Sequence, residues 1–383
     1  MSLAPKHRDI SRQLAAEIVA GKHQAAGRLP SEAKLVERFG VSRPTIGRAL
    51  RDLGEQGLIV RRGGSGTFIR TAGAHAAAAH PTIPQLGLIV PNLRRATIFE
   101  SVSGELASLA RVNDLGLWWG GSAHPVGETD MTVEEAESLC ARFIERNVAG
   151  VFFFPFEYHV QGATANRRIT ENLRQAGIPV LLLDRDINPF PQRCTLDLVG
   201  VDNFAGGYFL AEHLIKLGMR RLVFVKRPLT APTVDARIAG ARAAMIDHGL
   251  DVPGSFVHSG DPADAKFVRS FAWAHKIEAV LSTSDQLAAQ LLQTLTRLGI
   301  KVPDDLRLVG FDNALFASLM TVPLTTIEQP CRDIAITAFN AMRDRISDPT
   351  LPPRTLLLTP RLVVRESCGA YLHPPPPAAE MST

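Results

Sequence analysis

Residues 28–69 constrain the fold of this chain more than any other stretch, because they combine helix signals, a tight turn and a glycine-rich loop in a fixed order. Ser31 precedes apolar residues at helical spacing and is expected to cap a helix, with its hydroxyl accepting from a backbone N–H. Gly40 is placed to end that helix, since glycine adopts the left-handed conformation at low cost. Ser42 is placed to cap a second helix, and Pro44 is tolerated in its first turn, where backbone amides have no partner within the helix.

The same stretch ends in a pattern typical of a two-stranded ribbon. Residues 58–60 and 67–69 favour β-structure, and the run Gly-Gly-Ser-Gly at 63–66 predicts the turn between them. Two helices joined by a short turn and followed by such a ribbon form a winged helix-turn-helix, a module that mostly binds duplex DNA. Residues 7–21 have apolar side chains at helical spacing and are predicted to form a first helix that packs behind the other two.

Five side chains of this module are candidates for DNA contact. A helix that enters the major groove presents its first turns to base edges, so we expect Arg43 to pair with a guanine, which is worth roughly 1–3 kcal/mol of discrimination. Thr45 is expected to add a base or phosphate contact. Arg48, Arg61 and Arg62 are expected to contact phosphates, which fix orientation rather than sequence. The alternative is a solvated arginine face, but the order of cap, turn and ribbon favours DNA.

Charge is concentrated on the same part of the chain. Residues 1–70 contain thirteen Lys or Arg and six Asp or Glu, a net charge of +7. The other residues contain 29 basic and 32 acidic side chains, a net charge of −3. This division predicts a polyanionic partner for the N-terminal part alone.

The N-terminal segment resembles the DNA-binding domain of the GntR family of bacterial transcription regulators. The matching stretches are LPSE at 29–32, FGVSRPT at 39–45, L-x-x-L at 50–53, EQGLI at 55–59 and GGSGTFI at 63–69. The resemblance implies that operator DNA is contacted by residues of the turn, the second helix and the wing. The candidates that it supports or adds are Glu32, Ser42, Arg43, Thr45, Gly64 and Gly66.

A length of 383 residues is too great for one ordinary core, so several domains are expected. Residues 1–70 form the predicted DNA-binding domain. Residues 71–84 are rich in alanine, histidine and proline and predict a linker. Residues 85–368 form the predicted second domain, and the proline-rich residues 369–383 predict a flexible tail.

From residue 86 onward, short apolar runs alternate with helical patterns. The runs predicted to be strands are 86–90, 117–120, 151–154, 180–183, 222–225, 280–282 and 306–309. The stretches predicted to be helices are 98–113, 133–147, 167–176, 204–217, 235–249, 263–274 and 286–298. Continuous apolar strands joined by helices predict an α/β fold with parallel sheets that are covered on both faces.

Polar residues that directly follow these runs are candidates for a ligand site, because ligands bind beyond the carboxyl ends of parallel strands. Arg185 follows the run at 180–183, and Asp285 and Asp312 follow the last two runs. Carboxylates, an arginine and aromatic groups in one cleft suit a polyhydroxylated or otherwise polar small ligand. Each aspartate also has an alternative role as a helix cap.

The second domain resembles the effector domain of the LacI/GalR repressors over roughly residues 86–367. The matching stretches are LGLIVPN at 86–92, AGVFFFP at 149–155, AGIPVLLLDR at 176–185, VGVDNFAGGYFLAEHLIKLGMRRLVFV at 199–225, DARIAGARAAM at 235–245, STSDQLA at 282–288, VPDDLRLVGFDN at 302–313 and PLTTIEQP at 323–330. The resemblance implies a periplasmic-binding-protein-like fold, with two lobes, a cleft between them and three crossings of the chain.

The same resemblance implies an effector site in the cleft. It places Arg237, Asp285 and Asp312 on sugar hydroxyls, with Phe99 and Arg185 close to the ligand. A surface position for Arg237 and an ordinary core position for Phe99 are the alternatives.

Together the two resemblances predict a transcription regulator with an N-terminal winged helix-turn-helix and a two-lobed domain of parallel sheets. The expected partners are operator DNA, a small carbohydrate-like effector and a second copy of the chain, which would pair through the lobe that carries 99–113 and 133–147. The simplest expectation is a repressor released by its effector, and a co-repressor ligand is the alternative. The pairing of a GntR-type domain with a LacI-type domain resembles the arrangement of a bacterial sugar repressor.

Other classes of protein are disfavoured by missing signals. No G-x-S-x-G, Walker loop or H-E-x-x-H motif indicates an enzyme acting on a sugar or nucleoside. The N-terminus has no apolar signal core, which argues against a transport binding protein, and no run of eighteen apolar residues predicts a membrane span. The four cysteines stand far apart, so we expect no metal site, no cofactor and reduced thiols in the cytoplasm.

Overall fold

The computed structural model of the chain describes residues 6–19, 22, 28–55, 58–62, 66–69, 84–91, 97–119, 131–272 and 277–372. The chain divides into two compact units, residues 1–82 and residues 83–383. Within the described ranges, no helix has both the length and the apolar character that crossing a membrane requires. The predicted linker at 71–84 lies outside the described residues except for Pro84, and so do residues 373–383 of the predicted tail.

The first unit consists of three helices and a two-stranded ribbon. The helices are α1 (Lys6–Val19), α2 (Glu32–Phe39) and α3 (Arg43–Glu55), and the ribbon strands are β1 (Ile59–Arg62) and β2 (Gly66–Ile69). The strands pair antiparallel, from Ile59 opposite Ile69 to Arg62 opposite Gly66. This is the winged helix-turn-helix that the sequence predicts.

The core of this unit comes from one apolar stripe on each helix. Leu14 of α1, Leu35 of α2 and Ile46, Leu50 and Leu53 of α3 are fully buried. Helix α1 packs against α3, as its apolar spacing predicts. Because these side chains lock the three helices together, the opposite face of α3 remains available to solvent.

The turn between α2 and α3 is made by Gly40, and the expected cap at Ser31 differs from the prediction. Gly40 has a left-handed φ of 58°, and its N–H donates to the Val36 carbonyl at 2.9 Å. Ser31 occupies the N-cap position, but its hydroxyl makes no capping hydrogen bond. Instead its backbone carbonyl accepts from the Leu35 N–H at 3.0 Å. The Ser31 side chain therefore does not stabilise the first turn of the helix, and its backbone does.

The first lobe of the second unit is built on a six-stranded, fully parallel sheet in the order β13-β7-β6-β5-β3-β4. Its strands are β3 (Gln85–Ile89), β4 (Gly116–Trp119), β5 (Gly150–Phe153), β6 (Val180–Leu183), β7 (Asp197–Val201) and β13 (Thr355–Leu358). Its helices are α4 (Thr97–Val112), α5 (Val133–Glu145), α6 (Gly162–Gln175) and α11 (Cys331–Ser347). Strands β5 and β6 are buried at every residue, because helices cover both faces of the sheet.

The second lobe has the same plan, with the strand order β14-β12-β11-β10-β8-β9. Its strands are β8 (Leu222–Lys226), β9 (Val257–Ser259), β10 (Ala279–Ser282), β11 (Arg307–Asp312), β12 (Thr325–Glu328) and β14 (Arg361–Val363). Only β14 runs antiparallel to its neighbour among these strands. The helices are α7 (Asn203–Lys216), α8 (Pro232–Asp247), α9 (Ala265–Ala272) and α10 (Asp285–Arg297).

The chain passes between the lobes three times, as the resemblance to LacI/GalR repressors implies. The crossings lie between β7 and α7, between β12 and α11, and between β13 and β14. All seven predicted strands and all seven predicted helices of this unit are present, with ends that differ by a few residues. Helix α11 and the strands β7, β9, β12, β13 and β14 were not predicted.

Candidate nucleic-acid interface and ligand cavity

Helix α3 separates its apolar face from its predicted DNA-contacting face. Ile46 is fully buried, whereas Arg43 and Arg48 are exposed and Thr45 is half-buried. Ser42 lies immediately before the helix, and its hydroxyl is 2.9 Å from the Thr45 hydroxyl. The structure therefore brings four of the predicted side chains together at the start of one helix.

The remaining predicted contacts are distributed over α2 and the wing. Glu32 is the first residue of α2 and is half-buried. Arg61 and Arg62 lie in β1 and Gly66 begins β2, while Gly64 lies outside the described residues.

An ion pair that the sequence analysis missed fixes α2 against α1. Arg38 Nη1 donates to Glu17 Oε2 at 3.0 Å, and Arg38 Nη2 bonds the other carboxylate oxygen. The carboxylate of Glu17 is buried beneath the arginine, and the hydrogen bond raises the pKa of Arg38. The bidentate contact holds the first helix of the helix-turn-helix in place.

A cavity of about 330 Å³ lies between the two lobes of the second unit. It is bounded by segments that follow β5 and β6 in the first lobe and β8, β10 and β11 in the second. Of the predicted effector-binding residues, four line this cavity: Phe99, Arg185, Arg237 and Asp312. The carboxyl ends of the strands thus converge where the sequence analysis places a ligand.

Arg185 forms the wall of the first lobe. Its Nη1 lies 2.7 Å from Glu157 Oε2, its Nη2 lies 2.9 Å from Asp184 Oδ2, and its guanidinium lies 5.1 Å from the centre of the Phe99 ring. Burial alone would lower the pKa of Arg185, but the two carboxylates outweigh it and raise that pKa. The guanidinium is therefore always charged, and the carboxylates of Glu157 and Asp184 balance its charge.

Arg237 forms the opposite wall. Its Nε donates to Asn203 Oδ1 at 2.8 Å, its Nη1 bonds the Thr283 carbonyl, and its guanidinium stacks 3.5 Å above the centre of the Phe311 ring. Burial lowers the pKa of Arg237, while the charge of Asp312 works against this. The side chain is thus held from three directions, with the shape of the wall fixed before a ligand arrives.

Close packing of α7 and α8 brings Arg237 to Asn203. A Cβ added at Gly240 of α8 would lie 1.9 Å from the Phe204 carbonyl oxygen, and one added at Gly207 of α7 would lie 2.0 Å from the Arg237 carbonyl oxygen. Only glycine allows two backbones to approach in this way.

Asp312 ends β11 and faces the cavity with an unusual backbone. Its φ is 119° and that of the next residue, Asn313, is 52°. Its carboxylate accepts from Gln329 Nε2 at 2.7 Å. Burial raises the pKa of Asp312, and the charge of Arg237 and the Gln329 hydrogen bond oppose the rise.

Three side-chain atoms in the cavity wall are buried without a hydrogen-bond partner among the described residues. They are Nη1 of Arg185, Oγ1 of Thr283 and Oε1 of Gln329, in residues that are 2%, 2% and 4% exposed. Nearly all buried polar atoms in proteins have a partner. A bound molecule with hydroxyl groups would supply partners for all three.

Asp285 corrects the sequence analysis, because it does not line the cavity. Its fully buried carboxylate accepts from the Ala314 N–H at 2.8 Å and from the Thr326 hydroxyl at 2.6 Å. Nor is it a helix cap, since Ser284 caps α10 by accepting from the Leu287 N–H at 3.2 Å. Burial, and then the nearby Asp312, raises the pKa of Asp285.

The sequence analysis missed several residues that line the cavity. Tyr158 lies four residues beyond the end of a predicted strand, and Gln290 lies one helical turn after Gln286. Gln329 follows β12, which was not predicted. A search that extended a few residues past each predicted strand would have found Tyr158. Gln329 could have been found only if strand β12 had also been predicted.

Comparison with known families supports this two-part architecture. Residues 6–69 match the family described as bacterial regulatory proteins, gntR family, and residues 211–368 match the periplasmic binding protein-like domain. The chain joins a GntR-type DNA-binding domain to a periplasmic-binding-protein-like domain. These matches confirm the predicted GntR-type segment and the predicted periplasmic-binding-protein-like fold.

Proteins similar to this chain over part or most of its length include repressors and regulators. The HTH-type transcriptional repressor PurR of Escherichia coli O1:K1 is 34% identical over 172 residues, which are 44% of this chain and 50% of that protein, so the chain spans about half its length. The arabinose metabolism transcriptional repressor of Geobacillus stearothermophilus is 25% identical over 372 residues, 95% of this chain and 97% of that repressor. A solved complex of the transcriptional regulator CelR with cellobiose shares the fold, with 22% identity, a TM-score of 0.63 and coverage of 85% of this chain and 91% of that one.

Proposed function

We propose that the chain is a sequence-specific DNA-binding transcriptional repressor whose DNA affinity is controlled by a small ligand bound between the two lobes. The observation that carries the proposal is the pairing of an exposed arginine at the start of α3 with an interlobe cavity whose walls hold unsatisfied polar atoms. A regulator of this kind acts in the cytoplasm on genomic DNA and leaves its ligand chemically unchanged, unlike an enzyme.

In this proposal the first turns of α3 enter the major groove. Arg43 reads a guanine through its two donor groups, and Ser42 and Thr45 share a hydroxyl pair that faces the DNA. Arg48 contacts a phosphate. The candidates outside α3 would contact the adjacent sugar–phosphate backbone of the DNA. They are Glu32 at the start of α2 and the wing residues Arg61, Arg62, Gly64 and Gly66.

The ligand is a neutral molecule rich in hydroxyl groups, of which a carbohydrate is the leading class. An anionic ligand would need a guanidinium without a countercharge. Arg185 lies beside two carboxylates, and Arg227 bonds Gln290 at 2.7 Å and lies 3.4 Å from Asp261. The charge of Asp312 acts on Arg237, the third guanidinium of the cavity. Asp312 and Gln329 instead offer acceptors for hydroxyl groups. A volume of about 330 Å³ is at the lower end of the range for small-molecule sites, about 300–1,000 Å³.

Control of DNA binding follows from a difference in affinity. A ligand that binds one arrangement of the lobes more tightly than another shifts the equilibrium toward the first arrangement. The free energy of this shift cannot exceed the difference between the two binding free energies. We propose that a homodimer carries two copies of α3 to two half-sites, spaced by one or more helical turns of DNA. Ligand binding then releases the operator.

Replacement of Arg43 tests the DNA-binding half of the proposal. Arg43→Ala should weaken binding to a duplex selected from a random pool by roughly fivefold to 150-fold, because a bidentate guanine contact is lost. Fluorescence anisotropy with the full-length protein measures this. Arg12→Ala is the matched control, since Arg12 lies on α1 with an 80% exposed side chain and removes the same charge. Equal losses in the two variants would overturn the assignment of Arg43 as the base reader.

A further inference from the structure

The two lobes of the second unit are joined at the cavity by a backbone hydrogen bond outside the three crossing segments. The N–H of Tyr158, in the loop after β5, donates to the carbonyl of Leu229, in the loop after β8, at 2.9 Å. The first loop belongs to one lobe and the second loop to the other. Opening of the cleft must break this bond.

Both partners in this bond have a left-handed backbone. The φ of Tyr158 is 54° and that of Leu229 is 60°. Residues other than glycine, asparagine and aspartate seldom adopt this conformation, and they keep it only where the surrounding structure holds them in it. The side chain of Leu229 is 57% exposed, so packing of that side chain does not hold the conformation.

The bond lies directly beside the ligand cavity. Tyr158 and its neighbour Glu157 line the cavity from the first lobe, and Arg227 and Thr233, on either side of Leu229, line it from the second. Burial beside the cavity raises the pKa of the Tyr158 hydroxyl to about 12. The two loops therefore meet over the space that a ligand would occupy.

We propose that the Tyr158–Leu229 backbone bond is the latch of the cleft, and that Leu229 is a positioning residue that keeps the latch weak. Forming the bond requires Leu229 to adopt a conformation that leucine disfavours, and breaking it releases that strain. The latch thus opens and closes in the absence of ligand, and the contacts that a ligand adds shift it toward the closed form. This inference rests on the proposed role of the cavity as a ligand site.

Amide hydrogen exchange of the full-length protein without ligand tests the latch directly, because the N–H of Tyr158 exchanges only when the bond opens. Leu229→Gly removes the disfavoured conformation and should raise the protection of the Tyr158 amide by about fivefold or more. Leu229→Val should lower it, because a β-branched residue tolerates positive φ less well than leucine. Neither change alters the intrinsic exchange rate of Tyr158, which is distant in sequence.

Asp114→Gly is the matched control, since Asp114 has a φ of 53° and lies in the turn between α4 and β4. It likewise introduces glycine at a left-handed position, but away from the cavity, and should leave the Tyr158 amide unchanged. The latch is refuted by a Tyr158 amide that is unprotected in the wild type, by glycine and valine at 229 that fail to shift protection in opposite directions, or by an equal shift in Asp114→Gly. Operator binding, measured on the same samples, tests the proposed function separately, because it does not depend on the exchange result.

Discussion

Two aspartates at the ends of neighbouring parallel strands have different roles. Asp285 follows β10 and is enclosed by protein donors, whereas Asp312 ends β11 and lines the cavity. The Asp285 carboxylate ties the start of α10 to the segment after β11 and to β12. Among the described residues, the Asp312 carboxylate accepts a hydrogen bond from Gln329, and it lines the cavity where a ligand could reach it.

Replacing each aspartate should separate stability from ligand binding. Asp285→Ala leaves the Ala314 N–H buried without its acceptor and leaves the Thr326 hydroxyl with only its longer contacts to Asn313 and Ile327. It should therefore lower the free energy of unfolding by about 2–4 kcal/mol. Asp312→Asn should change it by less than about 1 kcal/mol, because burial already favours the neutral form of Asp312 and the amide oxygen can still accept from Gln329. Urea denaturation measures both. Equal effects of the two changes would contradict the assignment.

The sequence could identify both aspartates as candidates for the ligand site but could not tell which of them lines the cavity. Both aspartates follow an apolar run, and the rule that ligands bind beyond strand ends applies equally to each. The difference arises from Thr326 and Ala314, which are 41 and 29 residues away from Asp285 in the chain. Contacts over such separations depend on the fold and leave no local pattern.

At the scale of elements, the close packing of α7 and α8 holds the cavity wall in place. Gly240 and Gly207 allow the helix backbones to approach until Arg237 reaches Asn203. A larger residue at either position must push the helices apart and move Arg237.

Gly240→Ala should therefore destabilise the protein, by about 1–3 kcal/mol as for other overpacked sites, and weaken any response to ligand. Gly104→Ala provides the contrast, because Gly104 lies on α4 with nothing within 4 Å of an added Cβ. That change should raise the free energy of unfolding by about 0.5–1 kcal/mol, since alanine suits a helix better than glycine. Thermal and urea unfolding of both variants decide the matter, and a neutral Gly240→Ala would show that the helices are not tightly apposed.

Elements with strong local patterns were predicted well, and those that depend on their neighbours were not. The winged helix and the central strands have caps, turns or long apolar runs. Helix α11 buries three alanines and three larger apolar side chains, so its apolar period is weak. Strands β13 and β14 are four and three residues long, lie at sheet edges and are half exposed, which leaves little apolar signal.

At the scale of the whole molecule, charge and cavity are divided between the two units. The N-terminal 70 residues carry a net charge of +7 and the rest a net charge of −3. The acidic part contains the interlobe cavity, and the basic part is the one suited to non-specific attraction to DNA. In the proposed function, this division lets one unit bind DNA while the other senses a small molecule.

The most direct test of the central claim is operator binding, measured by fluorescence anisotropy while a panel of sugars is titrated into the full-length protein. We predict that at least one neutral sugar or polyol lowers operator affinity by about fivefold or more, the size of a typical allosteric coupling, and that the corresponding sugar acid and sugar phosphate do not. Arg237→Met should bind the operator as the wild type does and lose this response. An operator affinity that no neutral sugar changes, or an Arg237→Met variant that responds like the wild type, would contradict the account.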